Sequence, residues 1–158
     1  MSLVRRAVPE DAEELLRLRQ VLIDSMPGPG ADTSTDWHAE SLVTVRGRLA
    51  DPDGGFAAFV VDHPARAGAL GALVVGTLEY RIGRAGNPHG RIGYVFSVAT
   101  DPEVRRRGYA RACMEELVGW FREEGAGQID LTASAEAAPL YAAMGFVRTP
   151  DPLMRLKF

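Results

Sequence analysis

One cysteine, Cys113, stands among 158 residues, so the chain has neither a disulfide framework nor a thiolate zinc cluster, and a reducing cytoplasm is its expected compartment. No run approaches the ~20 consecutive apolar residues that a membrane-crossing helix needs. The segment Met1-Ser2-Leu3-Val4-Arg5-Arg6 lacks the apolar stretch of a secretory leader. A soluble protein with no membrane partner is expected. Nor is there a basic excess: the formal charge is −3, where a nucleic-acid partner calls for a positive footprint. His38, His63 and His89 lie in unrelated segments without ligand spacing, and no metal is expected. Two phosphate signatures are missing as well. Walker A needs a Gly-Lys-Ser/Thr ending and the dinucleotide fingerprint needs G-x-G-x-x-G, and neither occurs.

What is present suits one globular domain over residues 1–158, with 46% hydrophobic and 25% charged content. Ser2 to Val8 reads as a short strand. A helix follows from Pro9 to Asp24, with Ala12, Leu15, Leu16, Leu22 and Ile23 on one face and Pro9 at the first helical position. Ser25 to Thr35, rich in Pro and Gly, reads as a loop, and Thr33 with Asp36 as a capping box for a second helix from Asp36 to Leu49. Phe56–Asp62 and Leu70–Arg81 read as neighbouring antiparallel strands. A strand over Arg91–Ala99 is expected to place Ile92, Tyr94, Phe96 and Val98 on one face. Helix Gly108–Glu124, strand Gln128–Thr132, helix Glu136–Met144 and two strand pieces within Phe146–Phe158 complete the order. The alternation predicts an α/β (α+β) fold, a mostly antiparallel twisted sheet with helices on both faces.

The most informative segment is Val98 to Ala110, V-A-T-D-P-E-V-R-R-R-G-Y-A. An apolar strand passes through an Asp-Pro turn into three arginines and a glycine, and a long helix then opens. A helix start leaves backbone N–H groups without partners and carries partial positive charge, and a glycine lets the backbone approach an anion. Arg105-Arg106-Arg107-Gly108-Tyr109-Ala110 resembles the Arg/Gln-x-x-Gly-x-Gly/Ala acetyl-CoA loop of the GNAT N-acetyltransferase superfamily, with Arg105, Gly108 and Ala110 at the defined positions. About thirty residues on, Ser134-Ala135-Glu136-Ala137-Ala138-Pro139-Leu140-Tyr141-Ala142-Ala143-Met144-Gly145-Phe146 is similar to the family's Asn-x-x-Ala-x-x-x-Tyr-x-x-x-Gly-Phe segment. The element order is also that of the family, over nearly the whole chain.

The resemblance implies an acetyltransferase that uses acetyl-CoA and acts on a small-molecule or peptide amine. It implies a bulged strand before the arginine loop, with the Val98 N–H at the thioester carbonyl and the Thr100 N–H on the pantetheine arm. The backbone from Arg105 through Arg106, Arg107, Gly108 and Tyr109 to Ala110 would hold the pyrophosphate, Ser134 would bond the cofactor where the family often has Asn, and Tyr141 would protonate the leaving thiolate. Many members carry a Glu base four residues ahead of the Val98 position; here that residue is Tyr94, and no carboxylate occurs from Arg91 to Thr100. Glu79 is the substitute base or an ordinary strand carboxylate. Trp37 and Met26 either build the acceptor pocket or simply pack. Asp24, Asp32, Asp36 and Glu79 suggest a mild preference for a cationic acceptor, and Cys113 reads as a core residue. A noncatalytic acyl-CoA-binding module is the alternative function, and the alternating segment Leu153–Phe158 raises a homodimer through exchanged strands.

Overall fold

The computed structural model describes residues 2–26, 28 and 32–158. The sequence-predicted loop from Ser25 to Thr35 therefore lies partly outside the described residues. Strands β1 (Val4–Arg6), β2 (Phe56–Asp62), β3 (Leu70–Tyr80), β4 (Arg91–Thr100) and β5 (Ile129–Leu131) form one sheet in chain order. Every pairing is antiparallel except β4 with β5, which is parallel. Strands β2 and β3 are nearly continuous apolar runs because both of their faces are covered.

On one face lie α1 (Ala12–Ser25) and α2 (His38–Leu49), where Leu15 and Leu18 meet Ala58, Val60, Leu73 and Val75. On the other lies α3 (Tyr109–Glu123), whose Cys113, Met114, Leu117 and Phe121 are fully buried against Ala57, Ala72 and Val74. The apolar stripe of α3 at helical spacing accounts for that burial. The short α4 (Ala138–Ala143) packs Tyr141 into the α3-side cluster. The expected α/β architecture with helices on both faces is what forms, as a five-stranded mixed sheet.

Four local expectations are corrected. The first helix opens with a 3-10 turn, Pro9–Asp11, before α1, and the Asp11 carboxylate accepts from the Val8 N–H at 2.8 Å. The capping box of Thr33 and Asp36 does not form: α2 starts at His38, and Asp32 and Ser34 instead accept from the N–H groups of Ser34 and Asp36, as short polar side chains do in turns. Val98 does not share a face with Ile92, Tyr94 and Phe96. Leu73 pairs with Ala99 but Val75 pairs with Phe96, so Ser97 and Val98 together oppose Val74, and this extra residue inverts the alternation. Phe96 consequently packs on the α1 side and Val98 on the α3 side.

The two strand pieces expected within Phe146–Phe158 do not form. Residues 146–158 contain no strand, and Leu153, Met154, Leu156 and Phe158 are exposed. Alternating apolar residues form a strand only where another edge takes up their hydrogen bonds. Pro150 and Pro152 remove two donors, and the neighbouring edge strand β5 offers three residues.

Candidate functional site

Strands β4 and β5 pair only from Gly93 to Val95, opposite Ile129 to Leu131, while β4 runs on to Thr100. The two strands separate at the bulge, where Ser97 takes the left-handed conformation, φ 55°. Beyond it, the Asp101 N–H donates to the Gly71 carbonyl at 2.8 Å, so the backbone groups of Ala99 and Asp101 face β3. Strand amides alternate, so those of Val98 and Thr100 face the open notch. This edge of β4 offers an extended ligand the hydrogen bonds that another strand would take.

At the end of the notch the chain turns through Pro102–Val104 into the arginine segment. Arg105, Arg106, Arg107 and Gly108 are exposed, and Arg106 and Gly108 both have positive φ, 62° and 77°. After the extended Arg105, these two positive-φ residues turn the chain into the helix start. Gly108 caps α3 without any side-chain bond, and the first helical hydrogen bond runs from the Ala112 N–H to the Gly108 carbonyl. The N–H groups of Tyr109, Ala110 and Arg111 are thus open for a ligand. A Cβ at Gly108 would meet nothing within 4 Å, so glycine serves the backbone conformation and the approach of a ligand rather than internal packing. Among the described residues the three arginines pair with no carboxylate.

A buried carboxylate fixes the start of this segment. Asp101, 2% exposed, accepts from the Glu103 N–H at 2.9 Å, from Arg17 at 2.9 Å and from Arg66 at 2.6 Å. Burial alone would raise its pKa, but the N–H bond and the two guanidiniums outweigh it and hold the carboxyl below the ordinary carboxylate range. His63, Asp101 and Glu103 stand within 4.8 Å of one another. His63 Nδ1 accepts from the N–H groups of Ala65 and Arg66, so its Nε2–H donates to Glu103 at 3.1 Å. With both ring nitrogens engaged and Asp101 held by two arginines, the cluster is a structural clamp.

Tyr141 is 6% exposed, with its ring against Phe146 at 5.9 Å, and it shares an apolar cluster with Val98. Burial raises the pKa of its phenol. Its hydroxyl bonds to no other described residue, yet among the described residues no buried side-chain oxygen lacks a partner, so the hydroxyl is not fully buried. Ser134 is exposed and its Oγ accepts from the Ala137 N–H at 3.2 Å, which leaves its own proton free to donate. The edge of β4 at Val98 and Thr100 thus leads into the arginine loop, and Tyr141 belongs to the same apolar cluster as Val98. Glu79 stands apart. It pairs with Arg81 at 2.9 Å and sits opposite Ile92, six residues from Val98 along β4. One of those residues is taken up by the bulge, so at ~3.3 Å per residue the separation is about 17 Å.

On the α1 side of the bulge lies a cavity of about 370 Å³. Leu15, Leu16, Val45, Phe56, Val75 and Phe96 form its apolar walls, with Trp37 and Ser41 at the rim of α2. Trp37 therefore belongs to the cavity, its indole N–H satisfied by the Ser34 carbonyl at 2.9 Å. Met26 is exposed and does not line it. Among the described residues the charged ones that line it are Arg19 and Arg48, and none is a carboxylate. Arg19 Nη1 donates to Ser97 Oγ at 2.8 Å. The sequence carried no signal for this pair, since the two residues are 78 positions apart and neither belongs to a motif.

The model of the acetyltransferase (GNAT) family matches residues 16–146. A comparison with curated proteins found no match. Among solved structures, an acetyltransferase of Clostridium acetobutylicum with acetyl-CoA superposes with a TM-score of 0.78 at 23% identity, covering 97% of this chain and 94% of that one. A GCN5-related N-acetyltransferase of Ralstonia eutropha gives 0.78 at 24% identity, over 97% of both chains. Glucosamine-6-phosphate N-acetyltransferase of Arabidopsis thaliana gives 0.71 at 15% identity, over 97% and 96%. At these identities the likeness is one of fold. The family match spans most of the sequence and includes both the arginine loop and Tyr141, and on it the chain belongs to the acetyltransferase (GNAT) family.

Proposed function

We propose that the protein transfers the acetyl group of acetyl-CoA to a primary amine by direct attack within a ternary complex. One observation carries this reading: the unpaired edge of β4 beyond Val95 leads straight into a loop whose open N–H groups and three arginines suit a pyrophosphate. The amine nitrogen attacks the thioester carbonyl carbon, forming the C–N bond, and the C–S bond breaks. The Val98 N–H stabilises the developing oxyanion, and Tyr141 gives its proton to the departing sulfur. The cavity and Tyr141 lie on opposite faces of the sheet, so the acceptor enters from the α1 side while the acid stands on the α3 side.

The amine must also shed a proton. Among the described residues no carboxylate lines the cavity, so that proton goes to solvent; Glu79 could receive it only through a chain of waters over about 17 Å. Glu79→Gln distinguishes the two routes: a displaced pH profile of kcat/KM supports the relay, and an unchanged one supports direct loss. The same lack of a carboxylate favours, as a second reading, a noncatalytic acyl-CoA-binding module.

Calorimetric titration with acetyl-CoA tests the shared premise, alongside Gly108→Trp, which puts a bulky side chain at a positive-φ position facing the phosphates. Binding by the natural protein that the variant loses is the expected result. No binding by the natural protein would end both readings. Binding without turnover of any amine would leave the binding module.

A further inference from the structure

We infer that the acceptor carries a carboxylate next to its amine and an apolar body, as an α-amino acid with a hydrophobic side chain does, and that Arg19 recognises the carboxylate. The inference rests on the acetyltransferase reading and names its acceptor. Arg19 projects from α1 into the cavity, half-buried, and its one hydrogen-bond partner among the described residues is the neutral hydroxyl of Ser97. In the same sheet-and-helix layer Arg17 meets Glu14 and Asp101, and Arg5 meets Asp11 and Asp62, whereas among the described residues the two arginines that line the cavity, Arg19 and Arg48, meet no carboxylate. A guanidinium held in an apolar cavity without an anion is a binding group awaiting one.

The position of that group sets the distance between the acceptor's two functions. Ser97 precedes Val98, whose N–H faces the reacting carbonyl, so Arg19 stands one residue from the point of attack. A carboxylate on the carbon that bears the amine can reach Arg19 while the nitrogen reaches the carbonyl. A carboxylate at the far end of a long chain cannot. Arg48, beside the Phe56 ring at 5.9 Å, adds a second positive charge to the cavity wall. Apart from the hydroxyls of Ser41, Thr77 and Ser97, the remaining lining is Leu, Val, Phe and Trp, which suits a hydrocarbon side chain, and about 370 Å³ is the scale of a small-molecule site. Polycationic amines would meet two arginines and no counter-charge, which reverses the sequence-based expectation of a cationic acceptor. Asp24, Asp32, Asp36 and Glu79 do not line the cavity.

Thiol release from acetyl-CoA with matched acceptors tests this: phenylalanine against phenethylamine, and leucine against 3-methylbutylamine. The carboxylated member of each pair should have a kcat/KM higher by about tenfold to a hundredfold, the worth of one charge-assisted hydrogen bond. Arg19→Met should abolish the preference, chiefly through KM for the amino acid. Arg48→Met, at an exposed position where folding is not at stake, should reduce it. Equal or better turnover of the carboxylate-free amines, or an undiminished preference in Arg19→Met with a native melting curve, overturns the inference while leaving the acetyltransferase reading intact. If no amine turns over, calorimetry with coenzyme A present compares N-acetylphenylalanine with N-acetylphenethylamine: selective binding of the former supports the carboxylate site, and its absence overturns it. Failure to bind acetyl-CoA at all ends the acetyltransferase reading itself.

Discussion

An ordinary phenol, with a pKa of ~10, keeps its proton at neutral pH, and burial raises that of Tyr141 further. A general acid must be protonated when its leaving group departs, and Tyr141 meets that condition throughout neutral pH. Tyr141→Phe should lower kcat about a hundredfold while the KM for acetyl-CoA stays within roughly threefold. Steady-state kinetics with a turned-over amine decides it, and a kcat within twofold of the natural protein removes Tyr141 as the acid. Cys113 is the opposite case. Burial, with a contribution from Glu116, pushes its thiol up to about 12, so almost no thiolate exists at pH 8. Iodoacetamide should leave the native protein unmodified for hours and label it within minutes in guanidinium. Rapid native labelling would contradict the buried placement. Both residues were legible as types in the sequence, Tyr141 from its motif and Cys113 from the apolar stripe of its helix. Their pKa shifts were not, because burial depends on what packs from other elements.

Between elements, α3 lies close against the sheet at two glycines. A Cβ at Gly93 would lie 2.7–2.8 Å from three atoms of the Phe121 ring, and one at Gly76 would lie 2.6 Å from its Cζ. Phe121 is fully buried and cannot yield. Gly93→Ala should therefore cost about 1–3 kcal/mol by overpacking, read as a lower denaturant midpoint at constant slope. An unchanged midpoint would mean that α3 sits farther from β4. Strands β2 to β4 and helix α3 were readable to within a residue or two, since each is a long apolar or periodic run bounded by turn residues. The bulge was not. Nothing in Val95-Phe96-Ser97-Val98 breaks the alternation; Ser97 takes a positive φ only because β4 must keep its pairing with β3 on both sides of one extra residue. The strand pieces expected after Phe146 failed for a related reason, in that their pattern lacked an edge to join.

At the scale of the molecule, ion pairs tie distant segments together. Asp101 receives Arg17 of α1 and Arg66 of the β2–β3 connection, Arg5 of β1 receives Asp11 and Asp62, and Glu14 pairs with Arg17. For Asp101, Asp11 and Glu14, burial raises the pKa, but hydrogen bonds from the paired arginines and from backbone N–H groups outweigh it, and each carboxyl is held below its ordinary range. A carboxyl with a depressed folded pKa stabilises the fold only while ionised. This contribution is complete above about pH 5 and is lost as pH falls through the folded values, below about pH 4. Melting temperature should accordingly stay level from pH 7 to 5 and drop steeply below 4. Asp101→Asn should cost about 2–3 kcal/mol at pH 7 and flatten part of that acid limb. A variant that melts like the natural protein at pH 7 would show that the clamp does not stabilise the fold.

The sequence by itself determined the architecture, the family resemblance and the arginine loop, because each depends on neighbours in the chain. A helix start, a glycine and successive N–H groups lie within one turn, so their chemistry is written where they stand. Only the tertiary structure decided which face Val98 occupies, how far Glu79 lies from the notch, and that Arg19 meets Ser97 inside an apolar cavity. Those facts depend on one extra residue in a ladder and on contacts between segments up to 78 positions apart, distances over which periodicity carries no information.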